Sequence, residues 1–488
     1  MFLSKINPKS KNNFYLFILG VLLLFKSPFD PDMWWHIKYG RIILETGHFP
    51  LYDSFSYAFS GYRWASSYWI PQVSQAILSG IGGFALMSLV YSIVFSVLLI
   101  WLLNKVQEKY SLGFFEQALV LTIVCVGFSS FGVTVRPMFF SGIFMFLLWH
   151  IFSLPRKSVL QNAIIPVIFL LWANMHADFM VGFGVLLAAQ FFDFVEGIRS
   201  KASLKKLVLP VILVVTSFLA TFINPYGAEL HKTLLNDVVN IKNQNGKITE
   251  FMPASLDQVP FWFYLALVTL VLVVGVKHRF LPAPKKLTGL AVVTTILLGF
   301  VSGYFFRFLF VFAFDYICIF SKSLGNFLAS LKLKPFIKAF SISIFWIMLI
   351  LIFLTNFVKA VDISALSADR KLPYYAMLFV KSAKPKGNML NFYNWGGFLI
   401  EYLPEYKVFT DGRMASWYIN NEWVLNKYYD LTVKKDPEKL NAFINQYDVG
   451  WSIFPNESTI NAYLQNELGW KLVYKDSVAT VLINPSIE

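Results

Sequence analysis

The stretch FDPDMWWHIKYG, residues 29–40, sets Asp30 and Asp32 two residues apart, with His36 four residues beyond Asp32. Paired carboxylates beside a histidine are the residue types that accept and return protons. The same residues also have a structural use. Asp30 before Pro31 suits a helix N-cap with proline at the first helical position, and Asp32 suits the positive first turn. A second polar group, Asn174, His176 and Asp178, sits in WANMHADF, and a third, Asn224, Glu229 and His231, in FINPYGAELH. Arg136 and Arg307 stand near the ends of apolar runs. No His-x-x-x-His pair occurs, which removes the zinc-protease pattern, and no Gly-rich P-loop is present to cradle a nucleotide.

These groups are carried by a very apolar chain. Of its 488 residues, 57% are hydrophobic and only 14% charged, a balance that excludes an ordinary soluble domain. Aromatics reach 18%, with 51 Phe and 14 Trp, as expected where side chains meet lipid and headgroups. Cys125 and Cys318 both lie in apolar runs, so neither a disulfide framework nor a cysteine metal site is expected. The N-terminal run follows a basic flank but has no small-residue cleavage site, and it reads as an uncleaved first span.

Apolar segments near 13–26, 84–103, 115–133, 137–153, 160–173, 178–195, 207–223, 260–276, 287–303, 304–321 and 336–358 give about eleven spans at ~20 residues per crossing. With a cytoplasmic N-terminus, the inner loops carry Lys105 and Lys109, Arg156 and Lys157, Arg199, Lys201, Lys205 and Lys206, Lys277, Arg279, Lys285 and Lys286, then Lys322, Lys332 and Lys334. The short outer connection 174–177 has no Lys or Arg. This positive-inside pattern accounts for a net charge of +14 without nucleic acid. The expected localisation is multi-pass in the plasma (inner) membrane.

That orientation collects the polar groups on one side. Asp30, Asp32, His36, Lys38, Asp53 and Arg63 fall in a long first outer loop, 27–83. Arg136, His176, Asp178, Glu229, His231, Glu250 and Arg307 share the same face. Span interiors hold few charges apart from Asp315, which argues against an ion-coupled transporter. Residues 31–46 suit an amphipathic helix ending at Thr46–Gly47, lying in the headgroup layer with Trp34 and Trp35 as anchors.

Past the last span the composition changes. The runs YKVFT, VGWSIF, WKLVY and VATVLI read as strands, and PEKLNAFINQY and STINAYLQNEL as helices. The expected fold is a polytopic α-helical membrane domain, 1–360, followed by an extracytoplasmic mixed α/β domain, 361–488.

DPDMWWHIKYG after the first span, with WANMHADF and NPYG further on, resembles the GT-C superfamily of membrane glycosyltransferases. Its members include protein mannosyltransferases, aminoarabinose transferases and the catalytic subunit of oligosaccharyltransferase. The segment 391–413, NFYNWGGFLIEYLPEYKVFTDGR, is similar to the oligosaccharyltransferase region with a Trp-Trp-Asp-x-Gly signature and a later Asp-Gly pair. Tyr393, Trp395, Gly396, Gly397 and Asp411–Gly412 match, whereas the signature's Asp is replaced by Asn394–Trp395–Gly396. Gly396–Gly397 and Asp411–Gly412 read by themselves as turn residues.

The resemblance implies a transferase taking a sugar from a polyprenyl-phosphate donor in the bilayer to an acceptor glycan, lipid or protein. Asp30, Asp32 and His36 would then be catalytic. Arg136, His176, Asp178, Arg307 and Trp395 would bind substrate, the guanidinium forks suiting phosphate. Asp30 and Asp178 are also candidate ligands for a hard cation, Mg²⁺ or Mn²⁺, and no other cofactor is expected. A lipid-linked sugar transporter or flippase, and a non-catalytic GT-C-like assembly subunit, stay open beside this reading.

Overall fold

A computed structural model describes residues 8–26, 30–110, 113–129, 136–153, 159–239, 335–370 and 372–487, with residue 269 alone between them. The chain divides into two compact units. The first takes Met1–Lys26, Leu86–Asn224 and Ile248–Phe357; the second takes Ser27–Ala85, Pro225–Lys247 and Val358–Glu488.

The described residues of the first unit are mostly helical. The unit contains α1 (Pro8–Leu24), the later part of α3 (Trp69–Tyr110), α4 (Phe114–Ser129), α5 (Met138–Ser153), α6 (Val159–Ala173), α7 (Phe179–Arg199), α8 (Leu204–Ala220) and most of α10 (Pro335–Val361). These helices fall on the expected spans. The spans at 260–276, 287–303 and 304–321, together with Arg307, Asp315 and Cys318, lie outside the described residues. Among the described residues, Trp69–Asn104, Phe179–Arg199 and Ser343–Val361 are long and apolar enough to cross a membrane. The protein is an integral membrane protein.

Small and polar residues let these helices approach one another. Ser88, Ser92 and Ser96 are buried on one face of α3, and the Ser92 and Ser96 hydroxyls donate to carbonyls four residues back. A Cβ at Gly20 of α1 would press on Ser96, and one at Gly182 of α7 would enter the Trp172 ring. Such contacts stand in for the hydrophobic drive that lipid removes. By contrast, α10 leaves Ile347, Met348 and Leu351 more than half exposed, as a lipid-facing surface requires.

The second unit holds α2 (Met33–Thr46), the start of α3, α9 (Ala228–Val239), α11 (Ile363–Arg370), α12 (Tyr374–Ala383) and the α/β region. Its main sheet has the order β1 (Asn388–Asn391), β4 (Val449–Pro455), β6 (Ala479–Ile483), β5 (Lys471–Lys475), and a separate pair, β2 (Tyr418–Ile419) with β3 (Glu422–Trp423), leads into α14 (Val424–Tyr429). The β1–β4 pair is parallel, and the β4–β6 and β5–β6 pairs are antiparallel. Helices α15 (Pro437–Gln446) and α16 (Thr459–Asn466) pack against β4 and β6 respectively. Of the expected strands, VGWSIF, WKLVY and VATVLI form, and both expected helices form.

YKVFT does not become a strand of this sheet, and NMLN does. Asn391 explains the difference. Its Oδ1 accepts from the Phe409 amide at 2.8 Å, and its Nδ2 donates to the Thr410 carbonyl at 2.9 Å. One side-chain amide therefore satisfies backbone groups that a neighbouring strand would otherwise have taken.

Candidate functional site

Helix α2 carries the first acidic group, and it forms as its sequence suggests. It ends at Gly47, whose φ of 67° is the left-handed cap that a side chain resists, with the Gly47 amide donating to the Ile43 carbonyl. Its start is tighter than expected. The α-helical residues begin at Met33 after Asp32, and the Asp30 carbonyl accepts from the Met33 amide at 3.1 Å in a short leading turn. Asp30 still does a cap's work, because its Oδ1 accepts the Asp32 amide at 2.7 Å. Asp30 is buried, whereas Asp32 is half-buried.

The indoles of α2 do not serve as headgroup anchors. Trp34 is fully buried, with ring centroids 5.1 Å from Phe84 and 5.4 Å from Phe398 and Tyr402. Trp35 is also buried, and its Nε1 donates to Asp32 Oδ1 at 3.0 Å. His36 lies 3.7 Å from the Trp35 ring between centroids. Its Nδ1 is 3.2 Å from Gln72 Nε2, an amide that also donates to Ser66 Oγ at 3.0 Å.

The glycines matched to the oligosaccharyltransferase segment are close-approach residues. Gly396 opens α13 (Gly396–Tyr402) with helical φ and ψ, so its role is not a turn. A Cβ there would overlap the Thr410 carbonyl, and one at Gly397 would overlap the Pro31 carbonyl. A Cβ at Gly412 would overlap Asp32 Oδ1. Gly397 and Gly412 thus make the seat on which Asp30-Pro31-Asp32 rests. Trp395 is 3% exposed and sits 5.4 Å edge-on to Phe392.

Beside this seat lies an ion cluster that sequence reasoning left unassigned. Arg413 forks onto Asp411 through Nε to Oδ1 at 2.7 Å and Nη2 to Oδ2 at 2.6 Å. Its Nη1 reaches Asp53 Oδ1 at 2.7 Å and donates to the Tyr39 hydroxyl at 3.1 Å. All three ionic side chains are inaccessible to solvent. The guanidinium also lies 4.9 Å from the Phe55 ring and 5.4 Å from that of Trp417. Burial pushes the Asp53 carboxyl above its usual range, opposed by Arg413, and pushes the Tyr39 hydroxyl up to about 12. The sequence signal was Asp411-Gly412-Arg413 itself, but nothing along the chain names Asp53 as its partner.

The first unit builds a different group around the turn between α6 and α7. Trp172 Nε1 donates to Ser141 Oγ at 2.9 Å, and that hydroxyl lies 3.0 Å from His176 Nδ1. The Asp178 amide donates to the same Nδ1 at 3.1 Å, and Asp178 Oδ2 stands 3.2 Å from it. Asn174 donates to the Leu170 and Ile223 carbonyls, closing the turn onto the end of α8. Arg136 precedes α5 and is half-buried. Among the described residues, no three His, Cys, Asp or Glu side chains converge as a metal cluster. His176 and Asp178 offer two donors, with Nδ1 already turned to Ser141 and an amide. By themselves they do not make a cage for Mg²⁺ or Mn²⁺.

In its fold the chain is similar to solved oligosaccharyltransferase structures. One similar solved structure is the archaeal oligosaccharyltransferase AglB from Archaeoglobus fulgidus in complex with an inhibitory peptide and a dolichol-phosphate. The TM-score is 0.58 at 11% identity, covering 91% of this chain and 69% of that one. Another is the Archaeoglobus fulgidus oligosaccharyltransferase tethered to an acceptor peptide containing the NVT sequon, with a TM-score of 0.58, 12% identity and the same coverage. No protein-family model matches the sequence, and no curated protein matches it.

Proposed function

We propose that the protein is a glycosyltransferase that moves a sugar from a polyprenyl-phosphate-linked donor to an acceptor on the outer face of the membrane. The observation that carries this reading is the seat of glycines under Asp30-Pro31-Asp32, which sets the Pro31 carbonyl and the Asp32 carboxylate against the main chain of the α/β region while Asp30 Oδ1 accepts the Asp32 amide. The AglB structure, described with a dolichol-phosphate, supports a lipid-linked donor. The topology belongs to the same proposal: about eleven spans at ~20 residues each, a cytoplasmic N-terminus and the α/β domain outside the plasma (inner) membrane.

In this reading the acceptor hydroxyl gives its proton to the acidic pair as its oxygen bonds to the sugar's anomeric carbon. The bond from that carbon to the phosphate oxygen breaks, and the electron pair leaves with the phosphate. Charge grows on that phosphate, where cations and donors are worth most. Arg136, Arg307 and the His176–Asp178 turn are the proposed substrate-binding groups, with His36 beside the acids and Trp395 beneath the α/β surface.

The test follows loss of sugar from the polyprenyl-phosphate-sugar pool of membranes. Asn oxygens can still accept from the Asp32 amide and the Trp35 indole, so Asp30→Asn and Asp32→Asn keep the local structure and lose basicity. Transfer should fall by roughly 10²–10⁴-fold in the variant that removes the base. Normal transfer in both variants would leave the acids as helix-start residues and end the assignment.

A further inference from the structure

Asp32 is held from its own helix by Trp35, but the wall behind its carboxylate belongs to a turn nearly four hundred residues later in the chain. That turn, 411–413, is fixed at both ends of its central glycine. Asp411 Oδ1 accepts the Arg413 amide at 3.0 Å as well as Arg413 Nε, which folds the turn onto itself. Arg413 then reaches outward to two parts of the first loop region. One is Asp53, whose Oδ2 accepts the Ser56 amide at 2.9 Å; the other is Tyr39, two helical turns beyond Asp32 on α2. Helix α2 is therefore met twice by the same few residues, at Tyr39 through the guanidinium and at Asp32 through the Gly412 main chain.

A short loop resting against a carboxylate would drift unless something over-determined it. The fork supplies that constraint, because a planar guanidinium fixes direction as well as distance at each carboxylate. Solvent is excluded on all sides, so no water can replace either pair.

We propose that Arg413 is a positioning residue: by clamping Asp411 to Asp53 and Tyr39, it holds the Gly412 main chain against the Asp32 carboxylate and sets the direction of that acid. The consequence for sugar transfer rests on the function proposed above; the geometric claim does not.

The experiment reads the geometry directly. In full-length protein carrying Cys125→Ser and Cys318→Ser, the pair Asp32→Cys and Gly412→Cys is oxidised with copper phenanthroline, and the linked peptide is quantified by mass spectrometry. A disulfide needs Cβ atoms about 3.5–4.5 Å apart, so its rate of formation reports the spacing. The pair should link readily with Arg413 intact. In Arg413→Lys, which keeps charge but loses the fork, linking should slow roughly tenfold while the melting transition is retained. Should Arg413→Lys fail to fold, Asp53→Asn loosens one arm of the clamp and carries the same expectation. An unchanged linking rate in whichever variant folds would overturn the proposal.

A second arm measures sugar loss from the polyprenyl-phosphate-sugar pool in Gly412→Ala, Asp32→Asn and the double variant. Positioning through Asp32 requires that the double variant lose no more than Asp32→Asn alone, and multiplying losses would count against it. If the linking result holds and no variant or parent transfers sugar, the positioning stands and the transferase reading falls.

Discussion

Asp30 and Asp32 were visible in the sequence as a pair, but their separate jobs were not. Asp30 accepts the amide of Asp32, and Asp32 accepts the indole of Trp35, so each carboxylate also holds part of the helix start. Arg413 was legible only as the neighbour of an Asp-Gly pair. Its partner Asp53 is 360 residues away, and no local pattern encodes that distance. Removing one member of such a buried pair strands the other. Asp411→Ala should cost about 3–5 kcal/mol, read as a lowered denaturation midpoint of the full-length protein. His231 offers a pH test of the same unit. Burial lowers its pKa below the usual 6.5, opposed by a hydrogen bond with Gly227. The unfolded chain then binds the proton more readily, so stability present above that value is lost as pH falls through it. From about pH 7.5 to about pH 5, the wild type should lose more stability than His231→Gln. Equal losses would remove His231 from the account of acid sensitivity.

At the scale of elements, period and punctuation were informative wherever a helix ended in solvent-accessible structure. Helix α2 stops at Thr46–Gly47 as the sequence suggests, although its regular turns begin at Met33 rather than at residue 31. Gly47 has no atom within reach of an added Cβ, so Gly47→Ala isolates the cost of the left-handed backbone. The expected loss is about 1 kcal/mol in thermal or denaturant unfolding. What α2 packs against could not be read, because interfacial anchoring and burial both ask for tryptophan. Trp34 turned out to face Phe84, Phe398 and Tyr402. A second helical stretch within the first outer loop, 27–83, was not expected. Helix α3 starts at Trp69, well before the apolar run at 84, and it bends where Gly82 and Gly83 leave helical geometry, Gly83 at φ 65°. Hydropathy finds the apolar part of a helix and passes over an amphipathic turn joined to it.

For the whole molecule, composition established the class, because a chain this apolar has few alternatives. The alternation of basic loops carried the orientation, which depends on counting spans correctly. Three of the expected spans lie outside the described residues, so labelling is the direct check. Ser477 is exposed in the turn between β5 and β6, and Ser203 is exposed just before α8. In a background lacking Cys125 and Cys318, Ser477→Cys should react with an impermeant maleimide in intact cells, and Ser203→Cys only after permeabilisation. The opposite pattern would put the acidic pair on the cytosolic side. The division into units was not legible in the sequence, since residues 27–85, 225–247 and 358–488 join one compact body although they are far apart in the chain. Long-range pairings such as Asp53–Arg413 and Ser56–Val408 make that body, and each is a contact between segments that look independent in the chain.

Transfer and transport of a lipid-linked sugar differ in one bond. The decisive measurement is made in native membranes supplied with a polyprenyl-phosphate-linked sugar, following free polyprenyl phosphate and donor together. A transferase releases one polyprenyl phosphate for each donor consumed, and the Asp30→Asn, Asp32→Asn double variant should abolish that release. Movement of intact donor across the bilayer, with no polyprenyl phosphate formed by the wild type, would contradict the transferase reading.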